Sequence, residues 1–218
     1  MDIEHYEKFK RELESGLKKQ ASVSVRLFVE SFQGESDIAN WVWAYLPKLE
    51  KNGHSRIRHE IFINLVYPTL KKGFELGEYD STLWLGKLIQ NIYQTDGLFE
   101  ELGSLVEMDF YKKCYEIDPN NNEGVSLLRS SILNWISYCE HEWPSGILYG
   151  ADCATLEQCI IIKKEADFAL SLTYTSDEKT YIERFLEKLS QYEKRLNKFK
   201  NESAHYVRTD GGKTRRPF

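Results

Sequence analysis

Apolar residues recur at helical spacing along almost the whole chain, whereas the alternation that marks a half-buried strand is short and isolated. The pattern predicts a nearly all-helical protein. Ile3, Tyr6, Phe9, Leu13 and Leu17 make one stripe, as the inner face of a first helix would. After Gly34-Glu35-Ser36, either Ser36 or Asp37 can cap a helix that carries Trp41, Trp43, Tyr45 and Leu46. A third helix is expected beyond the Asn52-Gly53 turn, with Ile57, Ile61, Leu65 and Leu70 on its apolar face. Pro68 should kink or end it, because proline has no N–H to give an interior turn. The Gly77–Asp80 turn then leads to Leu83, Trp84, Leu88, Ile92 and Tyr93. Thr155-x-x-Gln158 and Thr175-x-x-Glu178 read as capping boxes that open the last two helices. In the final one, Ile182, Phe185, Leu189, Tyr192, Leu196 and Phe199 alternate steps of three and four, the seam of a coiled coil. The run is under three heptads, so docking on the protein's own body is expected, and a monomer rather than a homodimer.

A phrase repeats within this helical text. Lys71-Lys72-Gly73-Phe74-Glu75-Leu76 returns 41 residues on as Lys112-Lys113-Cys114-Tyr115-Glu116-Ile117, and each copy runs into a turn and then a new helical pattern. Tyr111-x-x-Cys114-Tyr115-x-Ile117-Asp118-Pro119-x-Asn121 resembles the close of a tetratricopeptide second helix and its Asp-Pro turn. Val125, Leu128 and Ile132 fall where that family places large apolar residues on the next helix, and Leu85-Gly86-x-x-Ile89 is similar to its Leu-Gly-x-x-Tyr signature. Trp84 directly precedes the Leu-Gly pair instead of standing three before the leucine, and Arg129 replaces a small residue. The long period also suits repeats of the armadillo and HEAT kind. Over about residues 70–136 the resemblance implies antiparallel helix pairs stacked as a short tetratricopeptide/HEAT-like helical repeat array, completed here by a long C-terminal helix. We expect one all-helical domain over residues 1–202 and a flexible basic tail over 203–218.

Charge adds an asymmetry. Between Glu75 and Glu142 there are 13 acidic and 4 basic residues, whereas Lys179–Phe218 holds 11 basic and 5 acidic. An acidic middle and a basic end can steer a charged partner or attract one another. The first twenty residues carry charges throughout and lack the apolar core of a secretory signal. No apolar run approaches the ~20 residues of a membrane helix. With only four cysteines, Cys114, Cys139, Cys153 and Cys159, a cytoplasmic protein with reduced thiols is expected, and no membrane partner.

Candidate chemistry is thin. His59-Glu60 lacks the second histidine of a zinc helix, His54 and His59 lie off one face, and Cys139, His141, Cys153 and Cys159 match no compact ligand spacing. Gly211-Gly212-Lys213-Thr214 resembles the end of a phosphate loop, but Val207 stands where the earlier glycine belongs. No metal and no cofactor are called for, and Arg208, Lys213, Arg215 and Arg216 read as a solvated end rather than a nucleic-acid site. Trp41, Trp84 and Trp135 fall on apolar stripes. Trp143 and Tyr149 instead sit in a Pro/Gly-punctuated loop beside Glu140 and Glu142, and aromatic anchors next to acidic groups are common in interfaces. With Asp118 and Glu123 from the acidic middle, these residues form the expected partner-binding set. A non-enzymatic protein-binding module follows. In general character it resembles bacterial immunity proteins, which neutralise a basic toxin partner. The alternative is an enzyme with a dispersed polar site in the loop over residues 141–152.

Overall fold

The computed structural model describes residues 1–51, 57–172 and 175–210, with side chains for all of these except residues 50 and 201–210. The Asn52-Gly53 turn, His54 and residues 211–218 of the expected tail lie outside the described residues. Among the described residues the fold is all-α apart from one short hairpin, Leu148–Tyr149 paired antiparallel with Asp152–Cys153. Among the described residues no helix is long and apolar enough to cross a membrane. The chain divides into two compact units, Met1–Gly124 and Val125–Phe218.

In the first unit α1 (Ile3–Glu14) and α2 (Lys18–Glu30) form a hairpin. The stripe expected to continue to Leu17 is broken at Gly16, whose φ of 74° suits glycine and turns the chain. Of that stripe only Phe9 is buried, while Ile3, Leu13 and Leu17 are exposed. Helix α3 (Glu35–Lys51) begins one residue before the expected caps, and Ser36 and Asp37 lie in its first turn.

A continuous helical stretch follows, made of α4 (His59–Ile61), a π-helical turn (Phe62–Val66) and α5 (Tyr67–Glu75). Pro68 stands in the first turn of α5, directly after the π turn. It has no N–H for the Asn64 carbonyl four residues back, and just before it the ladder slips, so that the Tyr67 N–H reaches the Phe62 carbonyl. Ile57, Ile61, Leu65 and Leu70 are all buried as expected.

Helix α5 closes at Gly77, whose φ of 74° lets the Glu78 N–H bond back to the Gly73 carbonyl at 2.9 Å. Helix α6 (Tyr79–Lys87) then packs on α5, and short helices α7 (Ile89–Tyr93) and α8 (Leu98–Glu101) lead to α9 (Glu107–Ile117), which packs on α6 as well. Two glycines permit these close approaches. A Cβ on Gly73 would lie 2.0 Å from the Ser81 hydroxyl, and one on Gly86 would lie 2.7 Å from the Tyr111 ring.

The repeated phrase recurs in burial as well as in letters. Gly73 and Cys114 are both buried, Phe74 and Tyr115 both half-buried, Glu75 and Glu116 both exposed. Trp84 and Trp135, expected in the core, are only half-buried, and Trp41 is buried.

Helix α10 (Asn122–Cys139) carries the chain from the first unit into the second, whose other helices are α11 (Leu156–Ser171) and α12 (Ser176–Asp210). Both expected capping boxes form. Thr155 accepts from the Gln158 N–H while Gln158 accepts from the Thr155 N–H, and Thr175 and Glu178 exchange the same bonds. Helix α12 packs on α11, and the first four positions of its seam are buried. Ile182, Phe185, Leu189 and Tyr192 are buried, Leu196 is half-buried and Phe199 is 66% exposed. The helix continues to Asp210, past Ser203, where the sequence suggests that a tail begins.

Candidate functional site

The largest difference from expectation is where unpartnered apolar surface lies. In the first unit α3 and α5 border a groove of about 560 Å³, within the range of binding pockets. One wall is Glu35, Ala39 and Trp43, at four-residue steps along α3. The other is Asn64, Pro68 and Lys72, at the same steps along the π turn and α5. Four-residue steps put side chains on one helix face, so each wall is a single face. Ile38 adds to the apolar lining, and Leu76, just past the end of α5, is 71% exposed at its mouth.

The two ends of the groove differ. At one, the Lys72 ammonium meets the Glu35 carboxylate at 2.7 Å, with Glu78 nearby among the lining residues. Eight residues along α3, about 12 Å at 1.5 Å per residue, Trp43, Asn64 and Pro68 make a neutral end. The hydrogen bond from Lys72 holds the Glu35 carboxyl below the usual glutamate range, so it is ionised at neutral pH. Glu78 accepts from the neutral Ser81 hydroxyl at 3.0 Å. Two carboxylates and one ammonium therefore line that end.

A second depression, of about 700 Å³, lies between α1 and α3. Its three cations, the Met1 ammonium, Lys10 and Lys48, are matched by Glu7, Glu14 and Asp37, and its largest ring, Trp41, is buried beneath Tyr45, which stacks on it at 4.6 Å. It offers neither a net charge nor a free aromatic face.

The expected partner-binding residues are distributed between the two units. Asp118 and Glu123 belong to the first. Asp118 accepts from the Asn120 N–H, and Glu123 pairs with Lys87. In the second unit the loop is bound up by its own chain. Glu140 accepts from the Tyr181 hydroxyl at 2.9 Å and from Lys188 at 2.8 Å. The Arg195 guanidinium lies 4.9 Å from the centre of the Trp143 ring and donates to the Pro144 carbonyl at 2.6 Å. Tyr149 sits in the hairpin opposite Asp152, half-buried. Glu142 is exposed and contacts His141 at 3.1 Å.

Burial settles the state of the thiols. It pushes Cys114 and Cys139 up to about 12 and Cys159 up to about 11, so all three are protonated at neutral pH and none is a ready nucleophile. Cys153 alone is exposed. Among the described residues, no three His, Cys, Asp or Glu side chains converge as metal ligands would. What the groove can do is bind: it offers apolar contact along its length and negative charge at one end. No family model, curated protein or solved structure matches this chain.

Proposed function

We propose that this chain is a non-enzymatic protein-binding module of helical-repeat character, acting in the cytoplasm, and that its partner seats on the α3/α5 groove of the first unit. The observation that carries this reading is an accessible apolar trough with a carboxylate-rich end, on a chain whose middle is acidic. Exposed apolar surface concentrated in a groove costs solubility and is retained where something binds. Unpaired thiols support a reducing compartment. A basic protein is the complementary partner, and a toxin neutralised by an immunity protein is one instance of that chemistry.

The loop over residues 141–152 supports the enzyme alternative poorly. Its flanking carboxylate Glu140 is committed to Tyr181 and Lys188, and His141 is exposed beside Glu142, so these groups do not face a common reaction point.

Photo-crosslinking from position 76, compared with crosslinking from position 142, tests the proposal in cells that express the protein. A basic protein captured from position 76 is then purified, and its affinity measured with wild type and with Trp43→Ala. The reading predicts loss of at least about tenfold in affinity, as for a central aromatic anchor. Capture from position 142 alone, with affinity indifferent to Trp43→Ala, overturns it.

A further inference from the structure

We propose that the Glu35–Lys72 ion pair is a latch over the charged end of the groove, and that the occupant is a segment with aliphatic side chains on one face and a lysine or arginine at one end, which takes Lys72's place on Glu35. The inference rests on the protein-binding reading above and adds the chemistry of the ligand.

The geometry argues for a helical segment lying along the trough. About 12 Å separates the level of Glu35 from that of Trp43, which is a little over two helical turns. An occupying helix would present apolar residues at i, i+3 or i+4, and i+7 over that length. Ile38, Trp43 and Leu76 supply the apolar contact it needs.

Electrostatics argues for its polarity. Glu35 and Glu78 outnumber Lys72 at the charged end, where the end of α5 and the start of α6 adjoin so that their partial charges offset each other. The partial positive charge at the start of α3 already has Glu35 over it. A cation arriving there is drawn in, and an anion is repelled.

The latch itself is easily displaced. Glu35 is 85% exposed and Lys72 68%, and a pair of long side chains in water is held weakly. A cation supplied by a docked segment is different, because the apolar contacts already fix its position. It therefore competes with Lys72 at little further cost in entropy. Lys72 then swings out to solvent, and one ammonium or guanidinium has replaced another on the same carboxylate.

The test is a display selection of random 16-residue peptides against the folded full-length protein, followed by affinity measurements with synthetic peptides. Selected sequences should share an apolar face with Lys or Arg at one end, and their amide shifts should map to the walls of the groove. Lys72→Gln, which removes the competitor, should tighten binding by about fivefold, and Glu35→Gln should weaken it by a similar factor. Replacing the peptide's terminal Lys by Gln should abolish both effects. Both protein positions are on the surface, so the variants fold. If peptides bind the groove with no preference for a basic end, or if affinity ignores both variants, the latch is refuted while the groove reading stands. If no selected peptide maps to the groove, the reading beneath it falls as well.

Discussion

The α3/α5 groove and the 140–153 loop have the same ingredients, a tryptophan, carboxylates and a basic side chain, yet they are arranged to opposite ends. In the loop the cation lies on the ring. Arg195 stacks on Trp143 and bonds the Pro144 carbonyl, and Lys188 with Tyr181 occupies Glu140. Each group satisfies another group of the same unit. In the groove the cation lies on a carboxylate at the rim, leaving Trp43 and Leu76 to line open space. Identity of residues is thus a poor guide to role. What separates packing from recognition is whether the chain's own side chains cover the aromatic and apolar faces or leave them lining open space.

The largest effect that can test this contrast is expected on the packed side. Leu189→Asp places a carboxylate at a buried position of the α12 seam and should cost about 4 kcal/mol or more, read by chemical denaturation. A loss of under about 1 kcal/mol, the scale of a surface change, would mean that α12 does not depend on this seam. Next, Gly86→Ala must push the Tyr111 ring aside and should cost about 1–3 kcal/mol. An unchanged midpoint would show that α6 and α9 can part freely.

Trp143→Ala removes the face on which Arg195 lies and should cost about 1–2 kcal/mol. Partner affinity should stay unchanged, and a loss of affinity in a folded variant would reverse the roles of loop and groove. Leu76→Asp sits at the other extreme. As an exposed position it should change stability by no more than about 0.5 kcal/mol while removing an apolar contact from the groove mouth. A large stability loss would make Leu76 a packing residue.

Alkaline pH offers a probe of burial in both units. The thiols of Cys114, Cys139 and Cys159 titrate higher in the folded chain, at about 12, 12 and 11, than at their ordinary value of 9.0. The folded state then holds more protons, so stability is full below pH 9 and declines as pH rises toward 11–12. Cys139→Ala should flatten part of that decline in a pH series of denaturation curves, and a slope unaltered by the substitution would assign it to other groups.

Much of the fold was legible because its signals are local. Thr155-x-x-Gln158 and Thr175-x-x-Glu178 carry both halves of a capping box within four residues, and the seam from Ile182 to Tyr192 lies on one helix. The break at Gly16 was masked because Leu17 happens to fall four residues after Leu13, continuing the stripe in sequence though not in space. Pro68 announced a disturbance, but the π turn that absorbs it depends on how neighbouring carbonyls find donors.

The groove was not legible at all. Residues 35–43 read as part of one helix, and 64–78 as a helix disturbed at Pro68 that runs into the Gly77–Asp80 turn, and only their juxtaposition leaves a trough. For the same reason nothing near Trp143 in sequence points to Arg195, which lies on another helix.

The close fit at Gly73 bears on how such a chain can change over generations. In the first phrase the small residue is on the earlier helix, and Ser81 on the next one fills the space. In the second phrase Cys114 brings the volume itself, and Gly124 on the following helix makes room instead for the Tyr79 hydroxyl, which a Cβ there would overlap, while the Cys114 Cβ lies at an ordinary contact of 3.6 Å. Writing the second phrase over the first by a lone Gly73→Cys change would drive a Cβ into Ser81. A lineage could reach cysteine at 73 most readily by first surrendering bulk at 81, so the order of two mutations, and not only their sum, decides which descendants fold.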